Sequence, residues 1–311
     1  MEKEVDFDSP FVIETTMEKW NDIVSFNQLF LSQYVFRGQG NVEWPIESTL
    51  LRLVKRCHSK DNDPVTPIIY EHEMLKEFKY RFPLYESSIK IDEHNNVEWL
   101  ALMQHYGAPT RLIDFTSSIF VALFFALDGS FDRDSVIWAV RKSELEKDHV
   151  IEYCKKNNRT SVSPDALNQY CQEKANTYIG HFQEREGKEE IIPIYPKIAN
   201  CRITIQQGLF VMSSNLYRGF EEIFNSVMGI NDNKLETGIV NLLNSSYHRS
   251  AKFGIKNLVH FKIIIPRKFK WELSQLLHQM NISAETLYPG LEGMAKSLAR
   301  LHLREPNLYT D

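Results

Sequence analysis

The sequence predicts an α+β fold with a mixed, mainly antiparallel sheet and several helices. Segments rich in β-branched and aromatic residues, which favour strands, recur at wide intervals at 34–38, 135–142 and 258–266. Amphipathic helical patterns lie between and after them. This spacing differs from the regular alternation of a parallel βαβ array. We expect one domain over residues 1–311, with its core at about 30–300.

Composition excludes several classes of protein. The 311 residues are 43% apolar and 25% charged, as in an ordinary globular protein. A net charge of −5 disfavours a nucleic-acid-binding domain. The four cysteines are far apart and form no C-x-x-C pair, so neither a metal site nor a disulfide framework is expected. The acidic N-terminus has no apolar signal-peptide core, so a cytoplasmic location is expected.

The first half of the chain is predicted in order from its patterns. An uneven apolar stripe predicts a helix at 17–33, followed by the strand 34–38 that ends at a glycine. The polar segment 57–67 is typical of a loop. An amphipathic pattern then predicts a helix at 68–82.

The most hydrophobic segment of the chain is the nine-residue apolar run 119–127. A membrane span needs about 18 such residues, so a buried helix is predicted and no membrane contact is expected. Four good N-cap residues stand ahead of it: Asp114, Thr116, Ser117 and Ser118. A cap needs only one, and helix N-termini also bind anions, so capping and ligand binding both stay open.

The second half of the chain is predicted to add strands at the core and helices around it. Charged, amide-rich composition predicts helical insertions around 143–200 and 215–258, and the segment 202–214 reads as two β-prone runs split at Gln206-Gln207-Gly208. The remaining predicted elements are strands at 135–142 and 258–266 and helices at 270–282 and 291–303.

Two short motifs carry groups suited to an anionic ligand. Arg37 ends the strand 34–38 next to Gly38 and Gln39. Its planar guanidinium suits a phosphate or carboxylate, and a glycine lets a ligand approach the backbone, although a turn with a surface arginine gives the same pattern. His105 could be a general base, but no serine or cysteine nucleophile motif accompanies it, which favours a structural histidine.

These motifs together resemble the FRG domain family, which is named after the Phe-Arg-Gly motif found here at Phe36–Gly38. The similarity continues through QHYGAPTRLIDFTSSIFVALFFA, QQGLFV and LHQMNISAETLYPGLEGMAKSL. It departs at Phe115, where the family usually has tryptophan, and at YPGLEG, where an aspartate is more frequent.

The order of the motifs is also similar to that of ADP-ribosyltransferases of the Arg–Ser–Glu type. This resemblance implies an ADP-ribosyltransferase-like fold in which an arginine grips the phosphates of NAD, a Ser-Thr-Ser-like strand supports the nicotinamide ribose, and a later strand carries the catalytic glutamate. The implied cofactor-binding positions are Arg37, Gly38, Gln39, His105, Tyr106, Thr116 and Ser117.

The implied catalytic position holds glutamine, at Gln206 or Gln207, where those enzymes have glutamate. A glutamine cannot supply the negative charge that stabilises an oxocarbenium-like transition state. Asp114 and Glu292 are therefore candidate replacements, although Asp114 could instead pair with Arg111.

The resemblance implies a protein that binds NAD as a substrate, uses no metal, and transfers ADP-ribose to a protein or nucleic acid. It fits a bacterial toxin or anti-phage effector, with a neutralising or regulatory protein partner. The alternative is a non-catalytic module that binds a nucleotide or a partner in the same cleft. The glutamine favours the module, whereas the arginine and the Thr-Ser positions favour the enzyme.

Overall fold

A mixed sheet of eight strands runs through the part of the protein that the structure describes. The structure is a computed structural model, and it describes residues 10–17, 19–30, 33–57, 66–128, 131–179, 189–196, 201–230, 234–236 and 258–301. The strands are β1 (Phe11–Thr16), β2 (Tyr34–Gln39), β3 (Ile113–Thr116), β4 (Ser135–Arg141), β5 (Ile191–Ile194), β6 (Gly208–Ser213), β7 (Lys234–Glu236) and β8 (Leu258–Ile265).

The strand order is β5-β6-β3-β2-β4-β8-β1-β7. Among the described strands, β1 runs parallel to β7 and β8, and the other neighbouring pairs are antiparallel. The predicted α+β class and its mainly antiparallel sheet are therefore confirmed.

Helices cover both faces of this sheet. They are α1 (Trp20–Phe30), α2 (Thr49–Cys57), α3 (Thr66–Arg81), α4 (Asn96–His105), α5 (Ile119–Leu127), α6 (Lys142–Asn157), α7 (Pro164–Asn176), α8 (Cys201–Ile205), α9 (Phe220–Met228), α10 (Arg267–Gln279), α11 (Ala284–Leu287) and α12 (Leu291–Leu301). A short 3-10 helix, Phe82–Leu84, follows α3.

The alternation of side chains along the strands divides the core into three main clusters. On one face, α1, α5 and α10 pack over the β1–β2–β4–β8 part of the sheet. On the same face, α3, α4 and α7 pack over β5 and β6. The opposite face is covered by α6 and α9. The two clusters on the first face meet near β2 and β3, which places the boundary between them at the centre of the sheet.

The helix α5 is the central element of the first cluster. Seven of its nine residues are buried, which accounts for the apolar run seen in the sequence. Ser118 is its N-cap, and the Ser118 hydroxyl accepts a hydrogen bond from the Val121 amide at 3.3 Å. Within the described residues, no helix combines the length and apolar character needed to cross a membrane.

Most of the predicted elements are confirmed within a few residues. The predicted strands appear as β2, β4 and β8, and the predicted helices appear as α1, α3, α5, α10 and α12. Parts of the loop 57–67 and of the insertion 215–258 lie outside the described residues.

The prediction for 202–214 was half wrong. Its first β-prone run forms the short helix α8, and only the second forms a strand, β6. The turn between them closes because the Gln206 amide donates to the Arg202 carbonyl at 2.9 Å and Gln207 adopts a left-handed conformation with φ of 49°. These local bonds and the tertiary contacts of α8 override the β propensity of Ile203 and Thr204.

The segment 143–200 was predicted to be helical, and it also contains the strand β5. Pro193 lies inside this strand. A proline cannot donate a ladder hydrogen bond, so it is tolerated here because β5 is the first strand in the sheet order, at an edge.

His260 is a buried histidine in the central strand β8. Its ring lies 5.8 Å from that of Trp138 and 5.3 Å from that of Phe224, and its Nδ1 atom has no hydrogen-bond partner among the described residues. Burial lowers the pKa of His260 to about 3. The unfolded chain, with a histidine pKa of about 6.5, therefore binds more protons than the folded protein between these two values.

We predict that His260 makes the fold less stable as the pH falls below about 6.5. The wild type should lose about 2 kcal/mol more free energy of unfolding than His260→Phe between pH 7.5 and pH 5, because only the wild type must keep this ring uncharged. Urea unfolding of both proteins at both pH values measures the difference. An equal loss in the two proteins would contradict the prediction.

Candidate functional site

An opening lies between the central strands β2 and β3 of the sheet. These two strands share one residue pair, Phe36 with Thr116, whereas β2 and β4 pair along the whole of β2. The ends of β2 and β3 line a cavity of about 320 Å³, together with β6, α8 and the residue after α11. This volume is at the lower end of the usual range for small-molecule sites, about 300–1,000 Å³.

The polar groups of this cavity, called here the central cavity, carry both charges. Its residues with ionisable or amide side chains are Arg37, Gln39, Arg52, Asp114, Asp128, Arg202, Gln206 and Tyr288. Three of these are arginines and two are carboxylates, so the ionised side chains sum to one positive charge. These charges suit an anionic ligand that also has a group able to interact with a carboxylate.

Arg37 lines the central cavity and has no carboxylate partner among the described residues. Its Nη1 atom donates to the Asp114 backbone carbonyl at 2.8 Å, and its buried Nε atom has no partner among the described residues. Burial is the main influence that lowers the pKa of Arg37, while the nearby Asp114 charge raises it and Arg52 lowers it. Because a guanidinium stays ionised in proteins, an anion bound here would offset the cost of its desolvation.

Asp114 presents a solvent-exposed carboxylate to the same cavity. The alternative prediction, a pair between Asp114 and Arg111, is wrong. Arg111 instead forms a bidentate ion pair with Glu71 of α3, in which Nε donates to Oε1 at 2.6 Å and Nη2 donates to Oε2. Both partners are almost fully buried, at 3% and 1% side-chain exposure. Asp114 is therefore left without a hydrogen bond or ion pair to its carboxylate from any described side chain.

Thr116 lines the central cavity, but its hydroxyl is already used within the protein. It donates to the Gln206 carbonyl at 2.7 Å and accepts a hydrogen bond from the Ser118 amide at 3.0 Å. Ser117 is exposed and does not belong to the cavity lining, and its amide donates to the Gln207 carbonyl at 3.0 Å. These contacts hold the end of β3 against the turn before β6. The polar residues ahead of α5 therefore stabilise this part of the sheet in addition to capping the helix.

Gln206 and Gln207 differ in their position relative to the central cavity. Gln206 lines the central cavity, and its Nε2 atom donates to the Leu287 carbonyl at 2.9 Å. Gln207 is exposed and lies outside the cavity lining. Of the two candidates at the position of the transferase glutamate, only Gln206 is placed to contact a ligand in the cavity.

Gly38 and Gln39 line the central cavity, but each of them also has a structural role in the fold. A Cβ atom at Gly38 would lie 1.8 Å from the Ala122 carbonyl oxygen, so this glycine is what lets α5 pack directly on β2. The Gln39 side chain is buried. Its Oε1 accepts from Trp138 Nε1 at 2.8 Å, and its Nε2 donates to the Pro45 carbonyl at 3.2 Å. The amide group of Gln39 therefore fixes the loop that follows β2.

Three of the predicted site residues lie near the cavity but outside its lining: His105, Tyr106 and Glu292. Burial is the main influence that lowers the pKa of His105, and the Arg202 charge adds to it against the opposing charge of Glu292. Glu292 accepts a hydrogen bond from Lys296 Nζ at 2.6 Å, which lowers its pKa. Tyr106 is 59% exposed.

Sequence reasoning did not single out several cavity residues, among them Trp44, Arg52, Asp128, Arg202 and Tyr288. Arg52 lies on the helix α2, where a basic side chain is typical of a solvated face. Arg202 stacks on the Tyr288 ring at 4.5 Å from its centroid, a contact between residues far apart in sequence. Spacing gave no signal for these positions, because tertiary folding brings them together.

The described residues contain no group of three or more His, Cys, Asp or Glu side chains placed to hold a metal ion.

Comparison with known families identifies one segment of the chain. Residues 32–135 match the model of the FRG domain. The match includes Arg37, Asp114 and Thr116, whereas Arg202, Gln206 and Tyr288 lie beyond it. Searches of curated proteins and of solved structures found no match.

We predict that the buried Arg111–Glu71 pair is required for stability. Glu71→Gln removes the negative charge and leaves the Arg111 guanidinium buried without a counter-ion, so it should cost about 3–5 kcal/mol of unfolding free energy. The matched control is Glu77→Gln in the exposed pair with Arg81, which should cost less than about 1 kcal/mol. Urea unfolding measures both, and equal losses in the two variants would contradict the prediction.

Proposed function

With residues 32–135 forming an FRG domain, we propose that the central cavity binds NAD and transfers its ADP-ribose group to a macromolecule. The observation that carries this proposal is the placement of Arg37 and Asp114 in one cavity. The arginine lacks a carboxylate partner, and the carboxylate beside it is exposed and unpaired among the described side chains. NAD offers both a diphosphate and a ribose carbon that becomes positively charged.

The diphosphate is assigned to the arginines. Arg37 carries a guanidinium that makes only one hydrogen bond within the described protein, and Arg52 lines the same cavity close enough to influence its pKa. Two neighbouring cations repel each other, so a dianionic diphosphate between them removes that repulsion. Arginine also matches phosphate oxygens with paired donors.

Asp114 is assigned to the reacting ribose. The bond between the nicotinamide nitrogen and ribose C1′ breaks, and nicotinamide leaves with the bonding electron pair. The positive charge that develops on the ribose is stabilised by the Asp114 carboxylate, as carboxylates do in glycoside chemistry. A nucleophilic oxygen or nitrogen of the acceptor then bonds to C1′ and gives its proton to solvent. Gln206 contributes a neutral oxygen that can accept a hydrogen bond from a ribose hydroxyl.

A non-catalytic nucleotide-binding module is the second candidate. It is favoured by Gln206, which is uncharged and whose amide nitrogen is already bonded to the Leu287 carbonyl. Such a module would use the same arginines, bind the nucleotide, and leave its glycosidic bond intact.

One assay separates the two candidates. The protein is incubated with NAD labelled in the ADP-ribose part and with a cell lysate, and protein, DNA and RNA are then inspected separately for label. The transferase predicts label in one fraction together with free nicotinamide. A toxin or anti-phage effector, and a partner that neutralises it, belong to the transferase proposal. Binding of NAD with no release of nicotinamide would favour the module.

We predict that Arg37→Ala weakens NAD binding while the fold survives. Charge-assisted hydrogen bonds contribute about 1.5–3 kcal/mol, so the affinity should fall about 10- to 150-fold in calorimetric titration. The control is Arg133→Ala, because Arg133 is exposed, pairs with Asp132 and lies outside the cavity lining. Unchanged binding by Arg37→Ala would remove Arg37 from the diphosphate site.

We predict that Asp114→Asn lowers transfer about 100-fold or more, because it removes the charge that stabilises the transition state and keeps the shape of the side chain. The melting temperature should stay close to that of the wild type, since Asp114 is exposed. Glu292→Gln separates the two candidate carboxylates and should retain activity, because Glu292 lies outside the cavity lining. Full activity in Asp114→Asn, or loss only in Glu292→Gln, would contradict the assignment.

A further inference from the structure

Trp44 is an aromatic residue of the central cavity whose ring is open to a ligand. It is 51% exposed, and its indole has no ring or cation contact among the described residues. The ring of Tyr288, which also lines the cavity, is already in contact with two cations. Tyr288 is 6% exposed, and its ring centroid lies 4.5 Å from the Arg202 guanidinium and 3.7 Å from Lys296 Nζ. Phe125 packs edge-on against Tyr288 at 6.3 Å.

The loop that presents Trp44 is fixed by hydrogen bonds on both sides of the residue. The Val42 amide donates to the Asp134 carbonyl at 3.0 Å, and the Glu43 amide donates to Asn41 Oδ1 at 3.0 Å. Beyond Trp44, the Pro45 carbonyl accepts from Gln39 Nε2. A loop held in this way loses little conformational entropy when a ligand packs on it, which favours binding.

Trp44 and Asp114 suit different parts of a dinucleotide. The reacting nicotinamide ribose is assigned to Asp114 in the proposed function, where a carboxylate can stabilise the developing charge. The adenine does not react, so it can remain partly exposed against Trp44, which lines the cavity and is 51% exposed. A cavity of about 320 Å³ is at the low end for small-molecule sites, so part of a dinucleotide is expected to extend onto exposed lining residues such as Trp44.

We infer that Trp44 is the stacking platform for the adenine of the bound nucleotide, and that Gln39 positions the loop that carries it. This inference rests on the proposed NAD site and adds the base-recognition element to it. Aromatic side chains bind bases face to face with little sequence preference, so the inference concerns affinity for the adenosine part and not the chemical step.

The test compares ligands that contain or lack adenine. Wild type, Trp44→Ala and Trp44→Phe are titrated calorimetrically with NAD, ADP-ribose and nicotinamide mononucleotide. Trp44→Ala should bind NAD and ADP-ribose about 5- to 150-fold more weakly, the range expected for loss of one base–aromatic stack. Its affinity for nicotinamide mononucleotide should stay that of the wild type, and Trp44→Phe should recover part of the loss.

The matched control is Tyr85→Ala, which removes an aromatic ring that is 84% exposed and outside the cavity lining. It should bind all three ligands as the wild type does. Wild-type affinity for ADP-ribose in Trp44→Ala overturns the inference and leaves the proposed function standing. An equal loss for nicotinamide mononucleotide also overturns it, because the ring would then serve the other half of the ligand. Absence of NAD and ADP-ribose binding by the wild type overturns both proposals together.

Discussion

The close approach of α5 to β2 is the contact on which the centre of this protein depends. At Gly38 the strand backbone lies so near the helix that a single added Cβ atom would meet the Ala122 carbonyl oxygen at 1.8 Å. This contact lets the buried apolar helix pack closely on the sheet, with its N-cap Ser118 two residues after the end of β3. The strand end that carries Arg37 is thereby held beside the strand end that carries Asp114, and the central cavity forms between them.

A buried polar network around the loop before β3 supports this arrangement. The Thr110 hydroxyl donates to Gln104 Oε1, and the Thr110 amide donates to Thr49 Oγ1 at 2.9 Å. Arg111 then joins the loop to Glu71 of α3 through its bidentate ion pair. The polar residues Gln104, Thr110 and Arg111 therefore stabilise the loop before β3 and do not line the central cavity. The groups that line it come from other residues.

The sequence was sufficient to predict the fold class, the main strands and the amphipathic helices, because these depend on local periodicity. It was also sufficient to select Arg37, Asp114, Thr116 and Gln206, four of the residues that line the cavity. It failed where a partner distant in the chain decides the outcome. Arg111 is three residues from Asp114 but pairs with Glu71, and the β-prone run in α8 becomes a helix because of its contacts. Arg202 and Trp44 acquire their positions only through folding, and no local spacing marks them.

The central cavity has walls from two separate parts of the chain. Arg37, Arg52 and Asp114 come from the segment 32–135, whereas Arg202, Gln206 and Tyr288 come from residues after it. A molecule that fills the cavity therefore touches both parts and adds its binding free energy to the association between them, by mass action. Occupancy of the site should thus be measurable as resistance to proteolysis of α8 and α11, the elements that carry Arg202 and precede Tyr288. Substitutions in the later wall can also change what the cavity accepts without altering the Gly38 contact or the buried Arg111–Glu71 pair, which both belong to the segment 32–135.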